Sequence, residues 1–285
     1  MILFKKATDL CNHLEIQRKQ GKKYGFVPTM GALHEGHISL MNNSKKLDDV
    51  SVSSIFVNPV QFNDPADFEK YPVTLEKDIA LLEAAGCDVL FVPSVAEMYP
   101  RGTKIEYHYD LGYLETILEG QYRPGHFQGV CKVVHRLLEI IKPDNLYLGQ
   151  KDYQQCMVIK KLIELIGMKE LISLNISPTV REAGSLAMSS RNMRLGDHER
   201  IIATAMYQAL QAIKDLLQKG ELTTIKNQAI NWLEEKGFRV DYVEIADAGN
   251  LQIMEQWDGK QKLVALAAAY LNQVRLIDNI LLNTV

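Results

Sequence analysis

His34 and His37 stand three positions apart in the segment Pro28–His37, which reads PTMGALHEGH. On a helix they share one face, where imidazole hydrogen bonds and imidazolium charge suit a phosphate that gains negative charge as it reacts. Gly36, between them, lets backbone approach a ligand closely. An apolar run ends before Pro28 and a helical pattern opens near Gly36, which predicts a strand, a tight turn and a phosphate-binding helix N-terminus. The alternative is that these histidines stand at the start of a helix by chance, because a short motif alone does not establish a phosphate site.

Two further polar segments are candidates for binding phosphate. Gly149–Asp152 ends a predicted strand and supplies Lys151 for ion pairing, while Asp152 can cap a helix or orient a ribose or metal. Met188–Arg191 supplies two hydroxyls and a guanidinium in a loop, which suits a mobile clamp on a polyphosphate. Taken alone, an ordinary glycine turn and a polar surface loop explain these two segments better.

Other polar side chains are less specific. Gln61 and Gln155 carry neutral amides that donate and accept hydrogen bonds, which suits a substrate with hydroxyls and a carboxylate, although either could simply be solvated. Three residues of a glycine-rich loop either line the same pocket or hold the loop together: Arg123, His126 and Gln128. The remaining histidines have no partner pattern and are interpreted as structural or exposed: His13, His108, His135 and His198. The chain has no Ser-His-Asp set, zinc motif or Walker loop.

Short apolar strands that alternate with helices position these groups. Strands are predicted over 22–27, 50–57, 89–92, 144–148 and 171–177, and a half-exposed strand over 105–109. Helices are predicted over 8–19, from about Gly36, and over 75–85, 130–141 and 152–166. This alternation is typical of an α/β fold with a Rossmann-like, doubly wound parallel sheet. Ligands bind beyond the carboxyl ends of the strands in such sheets, so the histidines, Gln61 and Gly149–Asp152 should converge on one edge.

The pattern changes after Pro178. A polar loop over 179–195 precedes two helices, about 198–218 and 224–236, and apolar strands over 240–245, 263–270 and 274–280. We therefore expect two domains, a Rossmann-like domain over 1–178 and a smaller C-terminal α+β domain over 179–285.

Composition excludes several classes of protein. The chain has 285 residues, of which 47% are hydrophobic and 24% are charged, as in a soluble globular protein with a sizeable core. Its net charge of −3 gives no general attraction to nucleic acid or an anionic membrane. The longest apolar run, Leu263–Leu271, is far shorter than the roughly 20 residues of a spanning helix, and the N-terminus lacks the order of a signal peptide. Scattered cysteines predict reduced, mostly buried thiols in a cytoplasmic protein: Cys11, Cys87, Cys131 and Cys156.

Six motifs occur in order over nearly the whole chain: PTMGALHEGH at 28–37, FVNPVQF at 56–62, RPGHF at 123–127, KDYQQ at 151–155, MSSRN at 188–192 and RLIDN at 275–279. Together they resemble the pantothenate synthetase (pantoate–β-alanine ligase) family of HxGH nucleotidyltransferases. At 148–152 the family commonly has FGEKD, whereas this chain has LGQKD and so has Gln150 in place of a glutamate.

The resemblance implies an ATP-dependent ligase that condenses (R)-pantoate with β-alanine. The pantoate carboxylate attacks the α-phosphate of ATP to give pantoyl adenylate and pyrophosphate, and the amine of β-alanine then displaces AMP. The resemblance makes His34, His37 and Lys151 catalytic, with His37 as the acid, and assigns Gln61 and Gln155 to pantoate and Gln61 also to β-alanine. It implies Mg²⁺ held chiefly by the ATP phosphates, with no metal site built by the protein. The implied ATP site consists of Met30, Gly31, Ala32, Leu33, His34, Glu35, Gly36, His37, Gly149, Gln150, Lys151, Asp152, Val180, Met188, Ser189, Ser190 and Arg191.

The resemblance also implies a cytoplasmic homodimer that pairs through the N-terminal domain and whose small domain closes over ATP. Three alternatives fit the residues less well. An adenylyltransferase for a phosphorylated acceptor needs basic groups where this chain has neutral Gln61 and Gln155, and an aminoacyl-tRNA synthetase needs an RNA-binding surface. A non-catalytic nucleotide sensor should have lost part of the His, Lys and Ser-Arg set, which is complete here.

Overall fold

A computed structural model describes residues 1–63, 65–104 and 107–283. The chain divides into two units. The first comprises Met1–Gly149 and Val158–Pro178, and the second comprises Gln150–Met157 and Thr179–Val285. The second unit thus includes Gln150–Met157, which the boundary expected from the sequence, near residue 178, places in the first domain.

Six parallel strands form the sheet of the first unit, in the order β1-β4-β3-β2-β5-β6. They span Ile2–Phe4 (β1), Tyr24–Thr29 (β2), Val50–Ile55 (β3), Val89–Phe91 (β4), Asn145–Gly149 (β5) and Ser173–Ser177 (β6). β3 and β4 are buried at every residue, as expected for parallel strands whose two faces are covered by helices.

Helices precede, connect or follow these strands. They span Ala7–Arg18 (α1), Glu35–Leu47 (α2), Pro65–Glu69 (α3), Leu75–Ala84 (α4), Val95–Met98 (α5), Leu118–Tyr122 (α6), His126–Ile141 (α7) and Tyr153–Leu165 (α8). α7 buries most of its length, including Phe127, Leu138 and Ile141, and therefore contributes much of the core.

The strand order reverses between β2 and β5. From β2 the chain moves outward through β3 and β4, and it then returns to build β5 and β6 on the other side. Such a reversal leaves a crevice beyond the carboxyl ends of β2 and β5, where open α/β sheets bind ligands. β2 ends at Thr29, just before the histidine segment, and β5 ends at Gly149.

The second unit contains a three-stranded antiparallel sheet in the order β11-β10-β8 and a two-stranded pair, β7 and β9. Its strands span Gly220–Glu221 (β7), Phe238–Asp247 (β8), Gln256–Trp257 (β9), Leu263–Leu271 (β10) and Val274–Leu281 (β11). Its helices span Asp197–Ala203 (α9), Ala205–Leu216 (α10) and Thr223–Glu235 (α11). An apolar core that includes Leu210, Leu233 and Leu276 joins the helices to the sheet.

The structure confirms the predicted fold class, a doubly wound parallel sheet with a smaller α+β part, and it corrects several details. β2 continues through Pro28 to Thr29, whereas the sequence predicted an end before the proline. Pairing between β2 and β5 stops at Phe26, so the missing N–H of Pro28 comes after the last of those pairs. The strand predicted over 105–109 is wrong for Tyr107–Tyr109, which are irregular, and Ile105 lies outside the described residues.

The predictions about membrane-spanning segments and about the thiols can also be compared with the structure. In the described part of the chain, no helix is long and apolar enough to cross a membrane. The four cysteines form no disulfide with one another, and Cys87, Cys131 and Cys156 are buried as predicted. Burial raises the pKa of Cys87 and Cys131 to about 12, so these thiols remain protonated and unreactive.

Candidate active site

The segment between β2 and α2 is a tight turn. Gly31 and Ala32 both have positive φ angles, +84° and +48°, so the backbone reverses direction within two residues. A Cβ atom at Gly31 would lie 3.0 Å from Asp78 and 3.3 Å from Ile55 in a backbone conformation that side chains rarely adopt. Glycine is therefore required here.

A buried carboxylate holds this turn. Asp78 on α4 is 1% exposed and accepts the N–H groups of Ala32 at 2.9 Å and Leu33 at 2.8 Å. Its oxygens also accept the hydroxyl of Thr74 at 3.1 and 3.2 Å. Asp78 was not identified from the sequence, because an acidic residue in the first turn of a helix is ordinary and only its burial shows its role.

We expect Asp78→Asn to destabilise the protein by about 1–3 kcal/mol, because an amide offers one acceptor where two backbone N–H groups need one each. The loosened turn should also slow any phosphate chemistry that it supports. Urea unfolding followed by circular dichroism measures the first effect. Glu76→Gln, on the exposed side of α4, is the matched control. Wild-type stability of Asp78→Asn would show that the carboxylate does not hold the turn.

His34 and His37 form a reciprocal cap at the start of α2. Nδ1 of His34 accepts the N–H of Gly36 at 3.2 Å, and Nδ1 of His37 accepts the N–H of His34 at 3.3 Å. Since a backbone N–H only donates, each Nδ1 is unprotonated and each neutral ring carries its proton on Nε2. The ring centroids are 4.1 Å apart. The cap therefore places the two rings, each with its proton on Nε2, at the positive end of a helix. A charged imidazolium would also be protonated on Nδ1, so it could not accept the backbone N–H and would break the cap.

Gln61 lies on the 3-10 turn that follows β3 and is buried. Its Oε1 accepts from Asn58 Nδ2 at 3.0 Å, and its Nε2 lies 3.0 Å from the sulfur of Met30. Asn58 is fixed in turn by the hydroxyl of Tyr99, which donates to its Oδ1 at 2.7 Å and whose pKa is raised by burial. Because a thioether is a weak acceptor, a ligand oxygen would be a better partner for the Gln61 donor than Met30 is.

The polar residues of the glycine-rich loop hold backbone in place. His126 is buried and donates from Nδ1 to the carbonyl oxygen of Gln61 at 2.8 Å, so its Nε2 accepts from Arg123 at 3.2 Å. The amide of Gln128 bonds both the N–H and the carbonyl of Tyr109, each at 2.9 Å. These contacts favour the second of the two interpretations that the sequence left open, in which the side chains hold the loop together.

A cavity of about 270 Å³ borders the turn in the first unit. Its walls include Met30 and Gly31 after β2, Phe56 after β3, and Pro93 and Ser94 after β4. The cavity therefore opens beyond the carboxyl ends of three neighbouring strands and has room for a small organic molecule.

The second unit contains the remaining phosphate-binding candidates. Gln150–Asp152 form a 3-10 turn that leads into α8. The side chain of Lys151 is 17% exposed, and its Nζ lies 3.5 Å from Oδ1 of the half-exposed Asp152. An ammonium group has three donors, so this contact is compatible with binding a phosphate as well. Gln155 is half-buried near the start of α8.

The loop from Val180 to Arg191 is held by its own hydrogen bonds. Val180 accepts the N–H of Met188 at 3.0 Å, and Arg181 pairs with Ala187 in an antiparallel bridge. Ser189 caps a 3-10 turn by accepting the N–H of Arg191 at 3.3 Å. The hydroxyl and guanidinium groups identified in the sequence therefore lie on a folded loop of defined shape.

Two side chains that were not identified from the sequence stabilise this loop. Asn192 donates to Glu182 at 2.7 Å and to the carbonyl of Ala187 at 3.0 Å. Arg200 donates to the other oxygen of Glu182 at 2.8 Å and to the carbonyl of Asn192 at 2.7 Å. Asn192 closes the MSSRN motif, but its burial, 2% exposed, was not visible in the sequence.

The structure brings the predicted residues together in two groups. In the first unit, Met30–His37 and Gln61 meet through the contact between Met30 and Gln61, and Gly149 ends the neighbouring strand. In the second unit, Gln150–Asp152 and Gln155 share one segment, and Val180 and Met188–Arg191 share one loop. In residues 1–63, 65–104 and 107–283, no group of three or more His, Cys, Asp or Glu side chains is arranged to hold a metal ion.

Comparison with known proteins gives consistent results over the whole chain. Residues 2–281 match the family model described as pantoate-β-alanine ligase. The chain is 44% identical over 285 residues to the pantothenate synthetase of Cytophaga hutchinsonii, covering 99% of both chains. It is 40% identical over 284 residues to the pantothenate synthetase of Porphyromonas gingivalis W83, covering 98% of this chain and 99% of that one.

Two crystal structures are similar to this one. Pantothenate synthetase from Thermus thermophilus has a TM-score of 0.91 and 36% identity, with both chains fully covered. Pantoate-β-alanine ligase from Francisella tularensis, in complex with β-γ ATP and β-alanine, has a TM-score of 0.83 and 38% identity, covering 100% of this chain and 98% of that one.

Proposed function

Because this chain belongs to the pantoate–β-alanine ligase family and is an enzyme of that type, we propose that it uses ATP to join pantoate to β-alanine, through the intermediate pantoyl adenylate. In the first step a carboxylate oxygen of pantoate attacks the α-phosphorus, and the bond to pyrophosphate breaks. In the second step the amine of β-alanine attacks the acyl carbon and loses a proton, and AMP leaves. The complex of the Francisella tularensis relative contains β-γ ATP and β-alanine, which supports the proposal that this chain binds ATP and β-alanine.

The histidine cap is the single observation that carries the proposal. His34 and His37 each have Nδ1 occupied by a backbone N–H, so each neutral ring carries its N–H donor on Nε2. Negative charge grows on the α-phosphate oxygens during the attack, and donors fixed in advance at a helix N-terminus stabilise it. His37 accordingly acts as a neutral hydrogen-bond donor in this step.

Charged and hydroxyl groups of the second unit would bind the rest of the triphosphate. Lys151 supplies an ammonium group, while Ser189, Ser190 and Arg191 supply two hydroxyls and a guanidinium that suit the leaving pyrophosphate. We assign the nucleotide to Met30–His37, Gly149–Asp152, Val180 and Met188–Arg191. MgATP is the form of the substrate that we propose, with phosphate oxygens as the main ligands of the metal.

The two glutamines would bind the organic acids. Gln61 is held by Asn58 so that its amide donor faces Met30, beside the turn that carries the histidines. A pantoate oxygen at this position would be held near the α-phosphate, and positioning of this kind supplies much of the rate of a two-substrate reaction. We assign Gln61 and Gln155 to pantoate, and Gln61 also to β-alanine.

Pyrophosphate release tests the proposal. Purified protein is mixed with MgATP and pantoate, first without and then with β-alanine. We expect a burst of about one pyrophosphate per active site, which becomes continuous turnover when β-alanine is added. Release that depends on β-alanine from the start would contradict a separate adenylate intermediate. No release in either case would contradict cleavage of ATP at the α-phosphate.

We expect Gln155→Ala to raise the KM for pantoate about 10- to 100-fold, because a hydrogen bond to a charged group contributes about 1.5–3 kcal/mol. The KM for ATP should change less than about threefold. Steady-state kinetics with each substrate varied in turn measures both values. Gln228→Ala, an exposed glutamine of the second unit, is the control. Equal increases for pantoate and ATP would contradict the assignment.

Two broader proposals follow from family membership. We propose a homodimer, which sedimentation of the purified protein would test, with a monomer at micromolar concentration as the contradicting result. We also propose a cytoplasmic location, where ATP is available and the four thiols stay reduced.

A further inference from the structure

Asn279 is a buried polar residue of the RLIDN motif to which no role has been assigned above. It lies on β11 opposite Leu266 of β10 and is 2% exposed. A buried side-chain amide is costly unless it is hydrogen-bonded, so its partners indicate what it does.

The Asn279 amide makes three hydrogen bonds to one segment that is far away in the sequence. Nδ2 donates to the carbonyl oxygen of Gln150 at 2.9 Å and to that of Lys151 at 2.8 Å. Oδ1 accepts from the side chain of Gln150 at 3.2 Å. Since carbonyl oxygens only accept, the orientation of the amide is fixed.

These bonds determine the direction of the lysine side chain. The carbonyl of Gln150 belongs to the peptide plane before the Cα atom of Lys151, and the carbonyl of Lys151 belongs to the plane after it. Peptide groups are rigid, so holding both planes leaves φ and ψ of Lys151 little freedom. The Cα–Cβ bond of Lys151 is therefore aimed by the backbone that Asn279 holds.

The neighbouring residue on the strand holds the second phosphate-binding segment. Successive side chains of a strand point to opposite faces, so Asp278 points away from Asn279. Asp278 binds Arg181 through two hydrogen bonds, at 2.6 and 3.0 Å, and accepts the N–H of Asn279 at 2.8 Å. Arg181 stacks on Tyr207 and donates to the carbonyl of Ser185 at 3.1 Å, within the loop that continues to Met188.

The pair of Asp278 and Arg181 is largely buried, although 19% of the Arg181 side chain is exposed. Asp278 is 4% exposed, and burial raises its pKa while Arg181 opposes that effect. A bidentate pair in this environment fixes both partners in one geometry. Two adjacent residues of β11 thus anchor the Lys151 segment and the Val180–Arg191 loop to the same strand.

We propose that Asn279 is a positioning residue for adenylate formation, which acts by fixing the backbone on both sides of Lys151. This inference rests on the proposed role of Lys151 in binding ATP. Asn279 itself does not contact substrate. A lysine misplaced by about 1 Å would still carry its charge but would no longer match the phosphate that it stabilises.

A double-mutant cycle tests the inference, with pyrophosphate release from MgATP and pantoate as the readout. We expect Asn279→Ala to lower this rate up to about 10²-fold, while kcat/KM for β-alanine, measured in the complete reaction, stays unchanged. Asn279→Ser, which keeps one donor, should lose less and provides a second variant if the alanine variant folds poorly. When Lys151 is already methionine, adding Asn279→Ala should have little further effect, because the residue that it positions is gone.

Leu276→Ala is the control for general destabilisation, because Leu276 lies on the same strand but packs into the apolar core. It should lower the melting temperature while leaving pyrophosphate release near the wild-type rate below that temperature. Wild-type rates for Asn279→Ala, or effects of Asn279→Ala and Lys151→Met that simply multiply, would overturn the inference. An active Lys151→Met enzyme would instead overturn the proposed role of Lys151, and the inference with it.

Discussion

Replacing His37 with alanine should slow pyrophosphate release about 10²- to 10³-fold, with folding largely preserved. Removal of one preorganised donor to a developing oxyanion costs about 2.7–4 kcal/mol of transition-state stabilisation. His37 is such a donor, because its Nδ1 is occupied by the N–H of His34 and its proton is therefore on Nε2. Single-turnover rates with saturating MgATP and pantoate measure the effect.

Controls must separate this chemistry from helix capping. The alanine variant also loses the acceptor for the His34 N–H, which should cost about 0.5–2 kcal/mol of stability. Rates are therefore compared below the melting temperature of the variant. His108→Ala, an exposed histidine of the same unit, should leave the rate unchanged. Near-normal single-turnover adenylation by His37→Ala would remove His37 from the mechanism.

The sheet could be predicted because several of its strands are buried on both faces. Tyr24–Thr29 and Val89–Phe91 are largely apolar, and helices with regular apolar spacing separate such strands along the chain. β1 was missed because Ile2–Phe4 is only three residues long and precedes two lysines, which hide it from a pattern search. Tyr107 and Tyr109 alternate as in a strand, but an alternating pattern does not provide a neighbouring strand to pair with.

The groups proposed to contact substrate could be identified from the sequence, but the residues that hold them could not. His34, His37 and Lys151 stand in short motifs beside glycines, where local spacing alone suggests phosphate chemistry. Asp78 and Asn279 act on backbone 46 and 128 positions away, through contacts that only the fold creates. Their residue types are common at helix starts and strand ends, so only burial and hydrogen-bond partners distinguish them.

The tautomer of the histidines shows the same limit. The sequence indicates two imidazoles on one helical face, which fits a neutral donor and a charged imidazolium equally well. The choice depends on backbone N–H groups that point at Nδ1, and this geometry arises from the extended conformation of His34, whose φ is −143°. A mechanism with neutral donors therefore required the structure.

Replacing Lys151 with methionine, which has a similar length and no charge, should lower kcat/KM for ATP roughly 30-fold or more. Loss of one partner from a desolvated charge pair costs about 2–5 kcal/mol, and Lys151 is only 17% exposed. Lys151→Arg keeps the charge but changes its shape and should recover part of the loss. Initial rates of pyrophosphate release over a range of MgATP concentrations give the value for each variant.

The control for Lys151→Met is Lys160→Met, an exposed lysine on α8, the helix that follows the Lys151 turn. It removes one positive charge from the protein without removing one from the phosphate-binding turn, so kcat/KM for ATP should stay within about twofold. Equal losses in the two variants would mean that the enzyme responds to its net charge and not to a charge placed at the phosphates. We do not expect equal losses, because salt screens exposed charges beyond roughly 10 Å. A loss confined to Lys151→Met would place the ammonium group at the phosphates, and an unchanged Lys151→Met would exclude it from them.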